Sequence, residues 1–509
     1  MSKSGTNHHR VAIVGSGFSG LGMGIRLKQQ GQDDFVILER SGDVGGVWRD
    51  NSYPGCACDV QSHLYSFSFA QNPNWARAYS PSSEIWAYLR DCADRFGVRS
   101  HCRFNHTVHD AAWDDERQVW RLRTSQGTYT ADVLVAAMGA LSEPATPELP
   151  GLPTFKGKVM HSARWDHGYP LDGRKVAVVG TGASAVQFVP IIQKQVSKLV
   201  LFQRTAPWVM PRHDRPTSER MRSLFRAFPP AQSAFRGLLY ALRELLALLF
   251  IRPRLMAHAE RIALRHLAAS VSNPELREKL TPDYTLGCKR VLVSDDYLSS
   301  LDQKNVELVT AGLREVREHS VVTADGVEHE VDAIILATGF HVTDMPFAKH
   351  VRGRTGRTLA ESFGGSPKAY LGTTVHGFPN LFMLSGPNTG LGHTSVLLMI
   401  EPQIEHVLKA LRYLRREGLA ALEPKAEAQN AFVREVDRKM TGTVWTAGGC
   451  ASWYLDATGR NSTLWPGFTF TFRWKVERFL PLDYIAHARR RQPSPPLTSA
   501  RLEKEAASG

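Results

Sequence analysis

An α/β fold framed by parallel sheets, with one helical insertion, is what this sequence predicts, and three observations carry the prediction. Apolar, β-rich runs twice precede a glycine-rich turn, at Val11–Val14 before Gly15 and at Val176–Val179 before Gly180. Each turn leads into a segment of helical character, the order that builds a parallel β–α–β unit. Between roughly 216 and 285 the pattern turns helical and rich in Leu, Ala and Arg, which marks an insertion.

A chain of 509 residues is too long for one hydrophobic core, so two or three structural units are expected. Apolar content of 43% with 22% charged residues excludes a fibrous or disordered chain. Lys and Arg number 62 against 49 Asp and Glu, yet the longest basic run is Arg489-Arg490-Arg491. Scattered positive charge of this kind suits phosphorylated small ligands better than nucleic acid. The six cysteines lack zinc spacing, with Cys56 and Cys58 one residue apart and the others isolated. No disulfide framework and a reducing, cytoplasmic compartment are therefore expected. The first ten residues have no apolar core, so no signal peptide is expected. The nearest approach to a membrane span, Leu238 to Ile251, is broken by Arg243 and Glu244. It reads as a packed helix of the insertion, with weak membrane contact as the alternative.

The first turn reads Gly15-x-Gly17-x-x-Gly20, directly after a strand and at a helix start. Gly15 permits the tight turn, Gly17 lets backbone approach a pyrophosphate, and Gly20 lets helix and strand pack closely. Val36-Ile-Leu-Glu39 closes a second strand 19 residues past Gly20. A carboxylate there accepts ribose hydroxyls and repels a 2′-phosphate, which suits FAD or NAD and not NADP.

The second turn reads Gly180-x-Gly182-x-x-Ala185, with Pro190 shortening or kinking the helix that follows. The next strand ends in Arg204 and Thr205, where an acid would otherwise stand. A guanidinium and a hydroxyl suit a 2′-phosphate, so NADPH is expected here. Two Rossmann-like dinucleotide-binding domains follow, one for FAD and one for NADP, the latter carrying the helical insertion. Runs Val133–Gly139 and Ala333–Gly339 end in small residues, as strands passing close to bound nucleotides do. A flavin that accepts a hydride must pass its electrons on. Disulfide reduction needs a redox pair that Cys56-Ala-Cys58 does not match, so oxygen is the expected acceptor.

Between the two units lies Phe155-x-Gly157-x-x-x-His161-x-x-x-Trp165-Asp166. It resembles the fingerprint of type I Baeyer–Villiger monooxygenases at every fixed position; N- and S-oxidising flavin monooxygenases lack the final Trp-Asp. A second signature, Gly45-Gly46-x-Trp48-x-x-x-x-Tyr53-Pro54-Gly55-x-x-x-Asp59, is similar to the same family. The resemblance spans roughly residues 8 to 485.

The resemblance implies an FAD-binding domain over 8–148 and 370–488, interrupted by an NADP-binding domain over 149–215 and 286–369. The helical insertion occupies 216–285, and 489–509 is expected to be a disordered tail. It implies that Gly46, Val47, Trp48, Asp59 and Tyr65 contact the flavin and that Val108 touches its adenine side. His161 couples cofactor position to domain movement. Lys289 joins Arg204 and Thr205 on the 2′-phosphate, and Arg290, in Gly287-Cys288-Lys289-Arg290, is the active-site arginine, paired with Asp59. Trp453 sits on a mobile loop near the substrate, and Gly386–Gly390 faces the flavin. Ala57, where some members have arginine, and Asp456, in place of a common glycine, are departures near the pocket. The implied reaction takes NADPH, O2 and a small-molecule ketone to an ester or lactone through a C4a-peroxyflavin, with sulfides as further substrates. N- or S-oxidation is the alternative. Which ketone and which oligomeric state are not written in the sequence.

Overall fold

The computed structural model describes residues 7–490. The tail expected over 489–509 lies outside them except for its first two residues.

Strand Asn7–Val14 is flanked by Phe35–Leu38 and Gly127–Ala136, both parallel to it, with Val14 opposite Leu38 and Ala136. The full sheet has eight strands and continues through Val119–Thr124 and Val108–Asp114 in antiparallel order. Leu381–Met383 returns from far along the chain to pair parallel with Gly127–Ala136. A second sheet has five strands, all parallel: Val306–Val309, Lys198–Phe202, Lys175–Val179, Ala333–Leu336 and Lys158–His161. Near-continuous Val, Ile and Leu in these strands reflects burial on both faces. The helices Phe18–Gln29 and Ala185–Ile192 follow the first strand of each β–α–β unit, and the second is short and contains Pro190.

One device recurs in both sheets. Gly15 has φ +98°, and a Cβ there would lie 2.8 Å from the Ala137 carbonyl oxygen. Gly180 has φ +108°, and its Cβ would lie 2.5 Å from the Ala337 carbonyl oxygen. Ala137 and Ala337 each donate a backbone N–H to the last residue of the strand before the turn, Val14 and Val179. The small-residue runs thus form the floor beneath each glycine turn.

The insertion is helical, with helices Glu219–Ala227, Pro229–Ile251, Met256–Ser270 and Pro274–Leu280. It shares an apolar cluster with the loops around it: Phe250 and Met256 pack with Trp208, Tyr284, Trp445 and Tyr454.

The structure corrects the expectation drawn from the cysteines. Cys288 and Cys450 form a disulfide across a sequence separation of 162 residues. Wide spacing hid the pair because the fold, not the local sequence, brings the two loops together. The cysteine argument for a reducing compartment falls with it. Cys56, Cys58, Cys92 and Cys102 are free and buried.

Candidate active site

The first glycine turn is packed backbone to backbone. A Cβ at Gly20 would stand 1.9 Å from the Gly15 oxygen, so helix and turn are in direct backbone contact. Gly17 and Gly46 face one another with no side chain between them, the nearest atom to a Cβ on Gly17 being the Gly46 Cα at 3.7 Å. This leaves the N-terminus of Phe18–Gln29 open, with no acidic residue in its first turn to compete for a phosphate. Glu39 lies at the adjoining strand end and is buried. Its carboxylate accepts the Ser16 N–H at 3.0 Å, the Ser16 hydroxyl at 2.7 Å and the Ser41 N–H at 2.9 Å, and it pairs with Arg49 at 3.3 Å. The His106 N–H donates to the Glu39 backbone carbonyl, two residues before strand Val108–Asp114 begins. Val47 and Trp48 follow in a short helical turn, and Trp48 donates to the Tyr65 hydroxyl at 3.2 Å with the rings edge-on.

The second turn is more open. Nothing lies within 4 Å of a Cβ built on Gly182, and Ala185 is fully buried at the start of its helix. Arg204 is exposed and Thr205 half-buried just beyond strand Lys198–Phe202. Burial and then the charge of Arg204 hold the Lys289 ammonium below its ordinary value, and Asp283 opposes them. Two cations from separate loops thus crowd one another, a site whose chemistry fits a phosphate.

The signature around Tyr53-Pro54-Gly55 joins the two units. Tyr53 donates to the Gln187 side-chain oxygen at 3.0 Å, and that amide also exchanges hydrogen bonds with both backbone groups of Ala57. Gly55 has φ +77°, and its Cβ would meet Ile191 at 2.6 Å and the Gln187 carbonyl at 2.8 Å. The loop that ends in Asp59 is therefore seated directly on the helix Ala185–Ile192.

Arg290 donates through Nε at 3.0 Å and Nη2 at 2.5 Å to one oxygen of Asp59. The guanidinium is held well above its ordinary value, chiefly by the Asp59 charge, against the penalty of burial. Burial pushes the Asp59 carboxyl up, but Arg290, with help from Arg243, outweighs this and holds it below the usual carboxylate range. The Arg290 side chain keeps 37% of its surface exposed and Asp59 22%, so the pair faces a cleft rather than the core. Tyr454 is buried beside them, and burial pushes its phenol up to about 12 despite Arg290, so it stays protonated. Trp453 is 42% exposed and packs on Tyr454 with ring centres 4.3 Å apart.

The linker fingerprint does not reach this cleft. Phe155 packs behind Gly157, whose Cβ would come within 2.3 Å of the Asp332 carbonyl. His161 is buried, its Nδ1 accepts the Ala163 N–H at 3.1 Å, and its Nε2 has no partner among the described residues. Trp165 packs on Phe188 of the helix after the second turn, and Asp166 pairs with Lys158. Each fixed residue thus anchors the connection. The run Gly386–Gly390 is likewise tied down, through Asn388 donating to the carbonyls of Asn461 and Leu464. Asp456 accepts from Ser366, Thr458 and the Arg460 N–H, so it staples its own loop.

Sequence reading missed several neighbours of the Arg290–Asp59 pair. Tyr454 stood next to Trp453 without drawing notice. Arg212 donates to the Cys58 carbonyl at 3.1 Å, and Arg243 of the insertion lies close enough to bias Asp59. No local motif announces either arginine; only the fold brings them in. Cys56 and Cys58, both pushed up by burial, carry no thiolate character.

Two glycine turns and one arginine–carboxylate pair define an oxidoreductase with two dinucleotide sites. A family described as "Pyridine nucleotide-disulphide oxidoreductase" matches residues 12–223. A "Baeyer-Villiger monooxygenase" of Streptomyces coelicolor is 54% identical over 94% of this chain and 92% of its own length. One of Pseudomonas aeruginosa is 51% identical over 93% and 90%. Among solved structures, cyclohexanone monooxygenase from Rhodococcus sp. Phi1 bound to NADP+ superposes with a TM-score of 0.86 at 27% identity, covering 95% of this chain and all (100%) of that one. An oxidised steroid monooxygenase bound to NADP gives 0.84 at 30% identity, with the same coverage. This chain belongs to the Baeyer–Villiger monooxygenase family.

Proposed function

We propose that the protein inserts one atom of O2 beside the carbonyl of a small-molecule ketone, giving an ester or lactone, with Arg290 as the fixed cation of the site. It is an FAD-containing, NADPH-dependent monooxygenase. Gly15, Gly17, Gly20, Glu39, Gly46, Val47, Trp48, Asp59, Tyr65 and Val108 would hold the FAD. Gly180, Gly182, Ala185, Arg204, Thr205, Lys289 and Arg290 would hold the NADPH. Bound and reduced, the flavin supplies the oxygen-activating chemistry, and the protein supplies position and field.

The observation that carries the reading is the Arg290–Asp59 pair, whose Asp59 ends the loop that seats the first unit against the second. Arg290 remains charged at any working pH, so it stabilises negative charge on oxygen without giving up a proton. Asp59 fixes the guanidinium through two hydrogen bonds to one oxygen, leaving other guanidinium N–H groups free to turn toward the cleft. Tyr454 is buried beside that charge, with Trp453 packed on its ring.

The test is NADPH oxidation against linear, cyclic, aromatic and steroid ketones beside a thioether, with products identified by mass. Ester or lactone formation from at least one ketone is expected. Sulfoxide formation with every ketone untouched would favour N- or S-oxidation and overturn the assignment.

A further inference from the structure

We propose that the outward face of the insertion helix Pro229–Ile251, with the adjoining helix Thr469–Glu477, seats this enzyme on the surface of an anionic lipid bilayer. This helix reverses the usual pattern. A surface helix ordinarily turns its apolar stripe inward and its charges outward. Among the buried residues of this one are Gln232, Arg236 and Glu244. Arg236 donates to the carbonyls of His63 and Leu64, and Glu244 accepts the Thr469 hydroxyl and pairs with His393. Arg243 donates to Gln61.

The opposite face carries no charge. Leu238 is 56% exposed, Leu242 53%, Leu245 61% and Leu248 37%, and Ala234, Gly237 and Ala241 complete the stripe. Spacings of three and four residues put them on one side of the helix. Tyr240 meets the Thr469 hydroxyl at 3.0 Å, which brings the second helix alongside. That helix exposes Phe470 at 52% and Trp474 at 59%, and Leu482 beyond it is 85% exposed. Contiguous apolar surface with a tryptophan at its margin marks an interaction face.

Charge decides among occupants. Residues 219–265 contain nine arginines and three glutamates; Arg236 and Arg243 turn inward, and Arg220, Arg226, Arg252, Arg254, Arg261 and Arg265 are exposed. Of those glutamates Glu244 is buried and Glu219 is paired with Arg222 and Arg226. Arg252 and Arg254 are exposed at the end of the long helix, beside exposed Leu255. A second copy docked by two-fold symmetry would set this basic rim against itself. Lipid headgroups of opposite charge complement it, while acyl chains take up the leucines. No helix among the described residues is long and apolar enough to cross a membrane, so the contact lies in the interface plane. The same helix presents Arg243 toward Asp59, so lipid would lie behind one wall of the active site, within reach of lipophilic substrates.

The test is co-sedimentation of the FAD-loaded enzyme with vesicles of phosphatidylglycerol and phosphatidylcholine, and with phosphatidylcholine alone. Binding to the anionic vesicles, weakened by salt and by omitting phosphatidylglycerol, is expected. Leu242→Glu with Leu245→Glu should cut the bound fraction about tenfold and leave NADPH oxidation in solution unchanged, since both side chains point away from the cleft. Wild-type enzyme that stays in the supernatant overturns the proposal. So does a double variant that binds as well as wild type. A wild-type dimer that the double variant converts to monomer, without vesicle binding, assigns the face to a second copy instead.

Discussion

Arg290 is the residue on which most rests, and its partner geometry separates charge from shape. Arg290→Ala removes the cation and leaves half-buried Asp59 without its main counter-charge. Flavin should remain bound and reducible by NADPH while ester formation falls by a factor of about 100–1,000, the usual cost of losing one preorganised donor to developing oxyanion charge. Stopped-flow reduction beside product analysis separates the two effects; normal ester yield from this variant would end the assignment of Arg290. At the second turn, Arg204 and Lys289 repel one another. Arg204→Ala should raise KM for NADPH by about 10–100-fold, the worth of one charge-assisted hydrogen bond or two, with little change for NADH. Steady-state kinetics with both nucleotides checks it, and an equal loss for each would place Arg204 away from the 2′-phosphate. The position of Arg204 just past the end of strand Lys198–Phe202 was legible from strand order alone. Arg290 and Asp59, 231 residues apart, were legible only through a family motif.

At the scale of elements, what was legible followed from periodicity. Apolar runs before glycine turns gave the parallel start of each sheet, though not the antiparallel strands that extend the first, and a helical run rich in Leu, Ala and Arg gave the helices between 219 and 280. Direction was not legible: a run such as Leu238–Ile251 states that a helix is apolar without stating which side faces the protein. Its polar residues settle that, because Arg236 and Glu244 find partners only inward. Contact between distant loops was equally hidden. Cys288 stands two residues from Arg290 and Cys450 three from Trp453, so the disulfide binds the arginine segment to the loop beside the cleft. Replacing both cysteines by serine releases a closure of 162 residues, for which chain entropy alone sets a loss of up to about 5 kcal/mol. Thermal unfolding of the double variant should come at lower temperature, with faster proteolysis near residue 450; an unchanged melting temperature would show that packing alone holds the loops. Gly55 makes a parallel case at the seam between the two units. Gly55→Ala adds a Cβ at φ +77° facing Ile191 and the Gln187 carbonyl. Left-handed backbone alone costs about 1–2 kcal/mol for an L-residue, and the contact adds to it. Lower stability with a larger share of NADPH consumed without ester is expected, as the Asp59 loop lifts from its seat.

Taken whole, the molecule repeats one nucleotide-cradling device in two sheets and closes the first sheet with chain from the far end. A buried histidine lies within that returning chain. His406, on the helix Leu397–Arg416, is joined through Nδ1 to the Val476 carbonyl at 2.7 Å and through Nε2 to the Tyr484 hydroxyl at 2.7 Å. Burial drives its pKa from 6.5 down to about 4. Between those two values the unfolded chain takes up a proton that the folded chain refuses. Stability contributed by the neutral ring is therefore complete above pH 6.5 and declines as the pH falls toward 4. A displacement of this size is worth about 3 kcal/mol when fully expressed. His63, beneath Arg236, is lowered to about 4 by burial first and by that arginine second, so it acts in the same window and with the same sign. Denaturant midpoints for the wild type should fall steeply from pH 6.5 to 4, and His406→Gln should flatten that slope by roughly the share of one such group. If the slope is unaltered in His406→Gln, the acid sensitivity of the closure resides elsewhere. Retention of FAD over the same pH series gives a second readout, because the strand and helix that His406 joins lie against the sheet that carries the first glycine turn.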